Sequence, residues 1–162
     1  MPRRARGLTL LEMMVALAIV AVLMTLALPS FGSMMSRHRL KAAAEQMAVD
    51  LAELRQQAVQ RQQPMHLQLS GGAQWCYALA VASSCDCRVP QGCQLKTVRA
   101  QDHPGVTLVD GQDLRIDPQS GQNLGGALLQ GSDGARLRVS LSPLGRPKVC
   151  APESAVPGFA AC

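Results

Sequence analysis

Apolar and polar positions divide the chain into three stretches with different periods. From Leu8 to Leu28 the only polar side chains are Thr9, Glu12 and Thr25. As a helix those 21 residues reach about 31 Å, close to the hydrocarbon thickness of a bilayer, so the stretch predicts one membrane-spanning helix. Beyond Pro29 the apolar positions Leu40, Ala44, Met47, Leu51, Leu54 and Ala58 recur at alternating steps of four and three, which predicts a second helical stretch with one apolar face. Pro29 removes a backbone donor and crowds the carbonyl four residues back, so a bend is expected there, and Pro64 ends the helix. From Met65 the period drops to two. Met65, Leu67 and Leu69 alternate before Gly71-Gly72, and Trp75 to Val81 is apolar. Val106 to Val109, Leu114 and Ile116, Leu128-Leu129, and Leu137, Val139 and Leu141 follow, each near turn residues.

Six or seven short strands after one long helix predict an α+β architecture, a long N-terminal helix packed on an antiparallel β-sheet head. The apolar stripe of the second helical stretch also suits a coiled coil. It lasts barely three heptads with alanine at every second position, so packing on a sheet is the expectation. The divisions are a leader at 1–7, a membrane-spanning half of the helix at 8–29, an amphipathic half at 30–63 and a β-rich head at 64–162.

Glu12 needs a partner, because a carboxylate inside such a segment costs on the order of 2.5 to 3.5 kcal/mol at mid-membrane and less near an end. Cleavage after Gly7 would supply one, leaving the amino group of Leu8 one helical turn from Glu12 or available to the Glu12 of a neighbouring copy. An ordinary secretory signal is cut after its apolar core at a small-x-small site. Here Ala16-Leu17-Ala18 lies inside the core, and Ala27-Leu28-Pro29 has proline just beyond. A plain anchor leaves Glu12 unexplained.

The formal charge of +5 includes Arg3, Arg4 and Arg6, so a chain cut after Gly7 carries 5 − 3 = +2. From Met65 onward eight Lys/Arg face seven Asp/Glu, and polyanion binding there has to come from a local patch. All six cysteines (Cys76, Cys85, Cys87, Cys93, Cys150 and Cys162) follow the apolar segment, which favours export and a disulfide-stapled head. Four thiolates also suit zinc, but C-x-C with C-x5-C lacks the usual C-x2-C knuckles, and no metal site is assigned. Cys150 and Cys162, isolated together at the end, are natural disulfide partners; the pairing of the other four stays open.

No nucleophile elbow, phosphate loop or paired-carboxylate motif occurs, and His38, His66 and His103 lie in different segments, so neither an enzyme nor a cofactor is expected. Pro143 and Gly145 predict a turn after the strand Arg136 to Leu141, with Arg136 and Arg138 on its outer face. Arg146 and Lys148, two apart, share one face of the return segment. Four cations there could converge into a local patch for a polyanion; a solvated hairpin with scattered charges is the plainer alternative.

The basic leader ending in Gly7, then Leu8-Thr9-Leu10-Leu11-Glu12 at the head of the apolar helix, resembles the leader of type IV pilins and type II secretion pseudopilins. Pro29 fits the same pattern. Trp75-Cys76, the cysteine-rich loop, Pro104-Gly105-Val106 and the tail from Gly145-Arg146-Pro147-Lys148-Val149-Cys150 to Cys162 resemble the FimT/GspH family of minor pilins and pseudopilins. The resemblance implies a lollipop-shaped pilin fold, cleavage by a prepilin peptidase and methylation of Leu8. It also implies residence in the inner membrane with the head in the periplasm, and assembly with other pilins through the helix. In the FimT branch a Gly-Arg-x-Arg motif in the tail is associated with DNA capture in natural transformation. Lys148 stands where that pattern has its second arginine, keeping the charge and losing the bidentate fork. The alternatives are a minor pseudopilin of type II secretion and a membrane-tethered periplasmic binding domain.

Overall fold

The computed structural model describes residues 9–89, 92–119, 125–153 and 156–162, with the side chains of 26–30 left out. One helix, α1, runs from Leu10 to Arg61. Its start is capped by Thr9, whose Oγ1 accepts the Glu12 amide at 3.3 Å while its carbonyl accepts the Met13 amide at 3.2 Å. Thr9-x-x-Glu12 is the sequence of a capping box, and an acidic side chain in the first turn also complements the helix dipole. At the other end the Gln63 amide bonds the Ala58 carbonyl and the Gln62 amide the Val59 carbonyl, both at 3.3 Å, with Gln62 at φ 54°. That is a Schellman ending with glutamine in the left-handed position usually given to glycine, and Pro64 follows it.

The chain forms two compact units, Met1–Met35 and Ser36–Cys162. In the first, the side chains of Leu10 to Thr25 are exposed, among them Leu10, Leu17 and Leu23. Among the described residues no helix is long and apolar enough to cross a membrane. Within the apolar stretch of α1, side chains are described from Leu10 to Thr25, a span of 16 residues or about 24 Å as a helix. The helical backbone continues through Pro29.

Among the described residues the second unit joins the rest of α1 to eight strands. Four form one antiparallel sheet in the order β3-β2-β1-β5: β1 (Met65–Ser70), β2 (Cys76–Ala80), β3 (Gln94–Arg99) and β5 (Leu114–Ile116). The other sheet is β4-β6-β7-β8, made of β4 (Val106–Gln112), β6 (Gly126–Gly131), β7 (Arg136–Leu141) and β8 (Pro147–Cys150). The head therefore has two sheets. The chain passes between them at Asp113, whose Oδ1 accepts the Leu69 amide of β1 at 2.7 Å. Two strands lie beyond those read from alternation. Edge strand β3 buries Val98 alone, leaving little apolar signal, and β8 is the return segment of the tail turn.

The apolar stripe Leu40, Ala44, Met47, Leu51, Leu54 and Ala58 is buried, in one core with Met65, Leu67, Leu129, Leu137 and Val139 from the strands. The second half of α1 is thus part of the head's interior. Trp75 ties the sheets together: its Nε1 donates to the Val106 carbonyl at 2.8 Å, and its ring lies parallel to Tyr77 and to His103. Burial lowers the pKa of His103 against the opposing pull of Asp102 and Asp50. Strand β2 is buried throughout, because Cys76 and Ala78 form a second small cluster with Cys87 on the face away from the main core.

Asp50 is a charged residue in this interior with no exposed surface. Its carboxylate accepts the Tyr77 hydroxyl at 2.8 Å, Lys96 Nζ at 2.6 Å and Gln46 Nε2 at 2.8 Å. Burial, then the hydrogen bond to Asp50, pushes the Tyr77 pKa well above the usual phenol value. A second polar tie holds the turn between β6 and β7. Ser36 and Arg37 donate to Asp133 at 3.0 Å each, and the Asp133 amide returns a bond to Ser36 Oγ.

Candidate nucleic-acid interface

Strand register decides which of the four tail cations share a face. Residues opposite each other in an antiparallel pair point the same way, and Ser140 lies opposite Lys148 while Arg138 lies opposite Cys150. Val139 and Val149, the pair between them, point inward. Arg136, Arg138 and Lys148 therefore project from the outer face of β7 and β8, with Arg138 and Lys148 diagonal neighbours about 7 to 8 Å apart.

They are not equivalent. The Arg136 guanidinium is already engaged, donating Nη1 to both carboxylate oxygens of Glu153 at 3.1 and 2.9 Å and Nε to Gln130 at 2.8 Å. Arg138 makes no ion pair with a described residue; it lines a cleft of about 200 Å³ that Asp110 and Gln112 also line. Arg146 and Lys148 are exposed and likewise unpaired among the described residues. The structure thus separates one neutralised cation from three available ones.

The turn that presents Arg146 is built from below. The Ser142 amide bonds the Arg146 carbonyl at 2.8 Å, the Gly145 amide bonds the Ser142 carbonyl at 2.7 Å, and Ser142 Oγ accepts the Arg146 amide at 3.0 Å. Gly145 has φ +70°, and a Cβ there would sit 2.9 Å from the guanidinium of Arg55. Arg55, on α1, donates to the Gly145 carbonyl at 2.9 Å. The left-handed backbone is what favours glycine here, and any side chain would also make the end of Arg55 shift. Arg55 was missed in the sequence; its signal was a cation one residue after Leu54 on the buried stripe.

Behind the turn, Cys150 is disulfide-bonded to Cys162. The closed tail is tied again by the Ala151 amide to the Ala160 carbonyl at 2.9 Å and the Cys162 amide to the Ala151 carbonyl at 3.1 Å. The other disulfides are Cys76 to Cys87 and Cys85 to Cys93, so all six cysteines are bonded. Cys85 and Cys87 are each paired elsewhere.

Gly7 and Leu8, the candidate cleavage and methylation positions, lie outside the described residues. Glu12 is exposed in the first turn of α1, its amide held by Thr9. His66 on β1 and His103 near Trp75 are not brought together in any site; burial, then Arg115, lowers the His66 pKa against Asp113. Among the described residues no group of three or more His, Cys, Asp or Glu is placed to hold a metal.

Residues 2–28 match the prokaryotic N-terminal methylation motif, and residues 43–145 match the type II transport protein GspH. The chain belongs to the GspH family. That GspH match begins on the buried stripe of α1 and ends at Gly145, one residue before Arg146. A solved structure similar to this GspH-family chain is the type IV minor pilin FimU of Pseudomonas aeruginosa strain PAO1, with a TM-score of 0.53 and 18% identity. It covers 72% of this chain and 100% of that one. At that identity the likeness is one of fold. No curated protein matches the chain. The N-terminal motif, the GspH head and the pilin fold together make this a protein of the type IV pilin and pseudopilin class.

Proposed function

We propose that the chain is a minor type IV pilin of the FimT kind. It is made as a prepilin, cut between Gly7 and Leu8 by a prepilin peptidase and methylated on Leu8. Residues 8–29 hold it in the inner membrane until it enters a pilus through α1, with the head binding DNA for uptake. It is a binding and assembly protein and carries no catalysis. The observation that carries the reading is the methylation motif over residues 2–28 directly ahead of a GspH head.

DNA binding rests on Arg138, Arg146 and Lys148, exposed on or beside one sheet face without ion-pair partners among the described residues. The head offers no exposed aromatic ring for base stacking beyond Phe159, which is partly buried and lies under Lys41, so phosphate contacts dominate. With Arg136 held by Glu153, three contacts give a log-log salt slope near −2.7 on duplex, from roughly −0.9 per phosphate. The test is a salt titration of the full chain in uncharged detergent on one duplex. Arg146→Ala with Lys148→Ala should weaken binding and cut the slope to about −0.9. Absence of wild-type binding at low salt, or an unchanged slope in the double variant, removes the DNA role.

A second reading, a minor pseudopilin of type II secretion, is favoured by the family match itself, which stops short of Arg146 and Lys148. On that reading the head meets secretion partners in place of DNA, and deletion abolishes protein secretion while leaving transformation intact.

A further inference from the structure

The tail patch leaves a second cationic site unexplained, on the other sheet. Register places Arg99, the last residue of β3, directly opposite Cys76 on the outer face of β2, where paired Cβ atoms stand about 5 Å apart. Cys76 is bonded to Cys87, whose chain neighbour is Arg88. The disulfide therefore fixes Arg88 beside Arg99, two residues eleven positions apart in the sequence. Both line one cleft of about 520 Å³, with Gly71, Gly72, Gln74 and Gln101.

The lining is rich in donors and holds no carboxylate. Arg88 spends Nη2 on the Gly71 carbonyl at 2.9 Å, which aims the guanidinium and leaves its other donors available. Neither arginine is in an ion pair with a described residue. Two guanidinium forks and two carboxamides make a receptor for an oxyanion. Trp75 also lines the cleft but is 1% exposed, so no ring face is offered to a nucleobase.

The neighbouring backbone adds direction. Strand β3 is the end strand of its sheet, bonded to β2 on one side. Among the described residues its other edge makes no backbone hydrogen bond. An open edge that ends at Arg99 fits an added strand whose acidic side chain turns into the cleft.

We propose that β3 and the Arg88/Arg99 cleft form a docking site for an extended acidic peptide segment of a partner protein, independent of the DNA patch. The backbone of the segment pairs with β3, and a glutamate or aspartate carboxylate sits between the two guanidinium groups.

The probe is a capped six-residue peptide of alternating valine and glutamate, fluorescently labelled and titrated onto the full chain in uncharged detergent. A glutamine-for-glutamate peptide, inorganic phosphate and a short duplex are the comparison arms. The glutamate peptide should bind, protect β3 amides from hydrogen exchange, and lose at least about tenfold in affinity to Arg88→Gln with Arg99→Gln. Arg99→Lys, which keeps the charge and loses the fork, should fall between. Arg146→Ala with Lys148→Ala should leave peptide binding unchanged. Equal binding of the glutamine peptide, indifference to the arginine variants, or no protection of β3 overturns the proposal. Competition by phosphate or duplex as strong as by the peptide overturns it in favour of a bare anion site.

Discussion

Removing the Asp50 carboxylate tests whether the buried polar cluster holds the helix on the sheet. In Asp50→Ala the Tyr77 hydroxyl, on a residue 1% exposed, loses its buried acceptor. An orphaned buried hydroxyl costs about 1 to 3 kcal/mol. Lys96 adds less, because its side chain is 39% exposed and turns to solvent when released, a loss of about 0 to 1 kcal/mol. The expected total is about 1 to 4 kcal/mol. Tyr77→Phe should cost about 1.5 to 3 kcal/mol, since it withdraws a donor from a buried carboxylate. The double variant leaves no orphan hydroxyl, so it should cost less than the two single changes added together, by about 1 to 2 kcal/mol. Urea unfolding of the full chain in uncharged detergent reads this out through Trp75, the single tryptophan, whose ring lies parallel to Tyr77. Asp50→Ala within 0.5 kcal/mol of wild type, or strict additivity in the double variant, would refute the reasoning.

Three further outcomes follow from named contacts. Burial works to raise the Asp133 carboxyl, and hydrogen bonds from Arg37, Ser36 and the Ala135 and Asp133 amides outweigh it, so its pKa is lowered. Its stabilisation is present above the ordinary carboxyl value and is lost as pH falls through the lower folded value; the stability gap between wild type and Asp133→Asn should close on acidification. Gly145→Ala should destabilise by about 1 kcal/mol or more, through its positive φ and its contact with Arg55, and Arg55→Ala in the same chain should recover part of that loss in urea melts. Glu12→Ala should leave membrane insertion and cleavage intact while removing the protein from sheared filaments, and normal incorporation would rule out charge pairing by Glu12.

The long helix and most strands were legible because their residues obey one period each. The stripe from Leu40 to Ala58 is the helix's buried face, and Met65, Leu67, Leu137, Val139 and Leu141 are buried as their alternation requires. The helix end was legible from Pro64, although the glutamine that takes the left-handed position carries no such signal. What escaped depended on contacts between distant segments. Asp50 looked like one more polar helical residue until Tyr77 and Lys96, 27 and 46 positions away, were seen to meet it. Strand β3 carries its one buried residue, Val98, among polar neighbours, so no alternation marks it. In the tail, spacing put Arg136 and Arg138 on one face correctly, but the neutralisation of Arg136 by Glu153 depends on a chain reversal that no local pattern encodes. The cleft between Arg88 and Arg99 was invisible for the same reason, since a disulfide builds it.

The central claim, that this GspH-family chain is a processed subunit of a pilus, is tested most directly by intact-mass spectrometry of pili sheared from the cell. The account predicts a species that begins at Leu8 with a methylated amine and carries three disulfides. A mature chain beginning beyond Pro29, or absence of the protein from sheared pili while it persists in the membrane fraction, would contradict it.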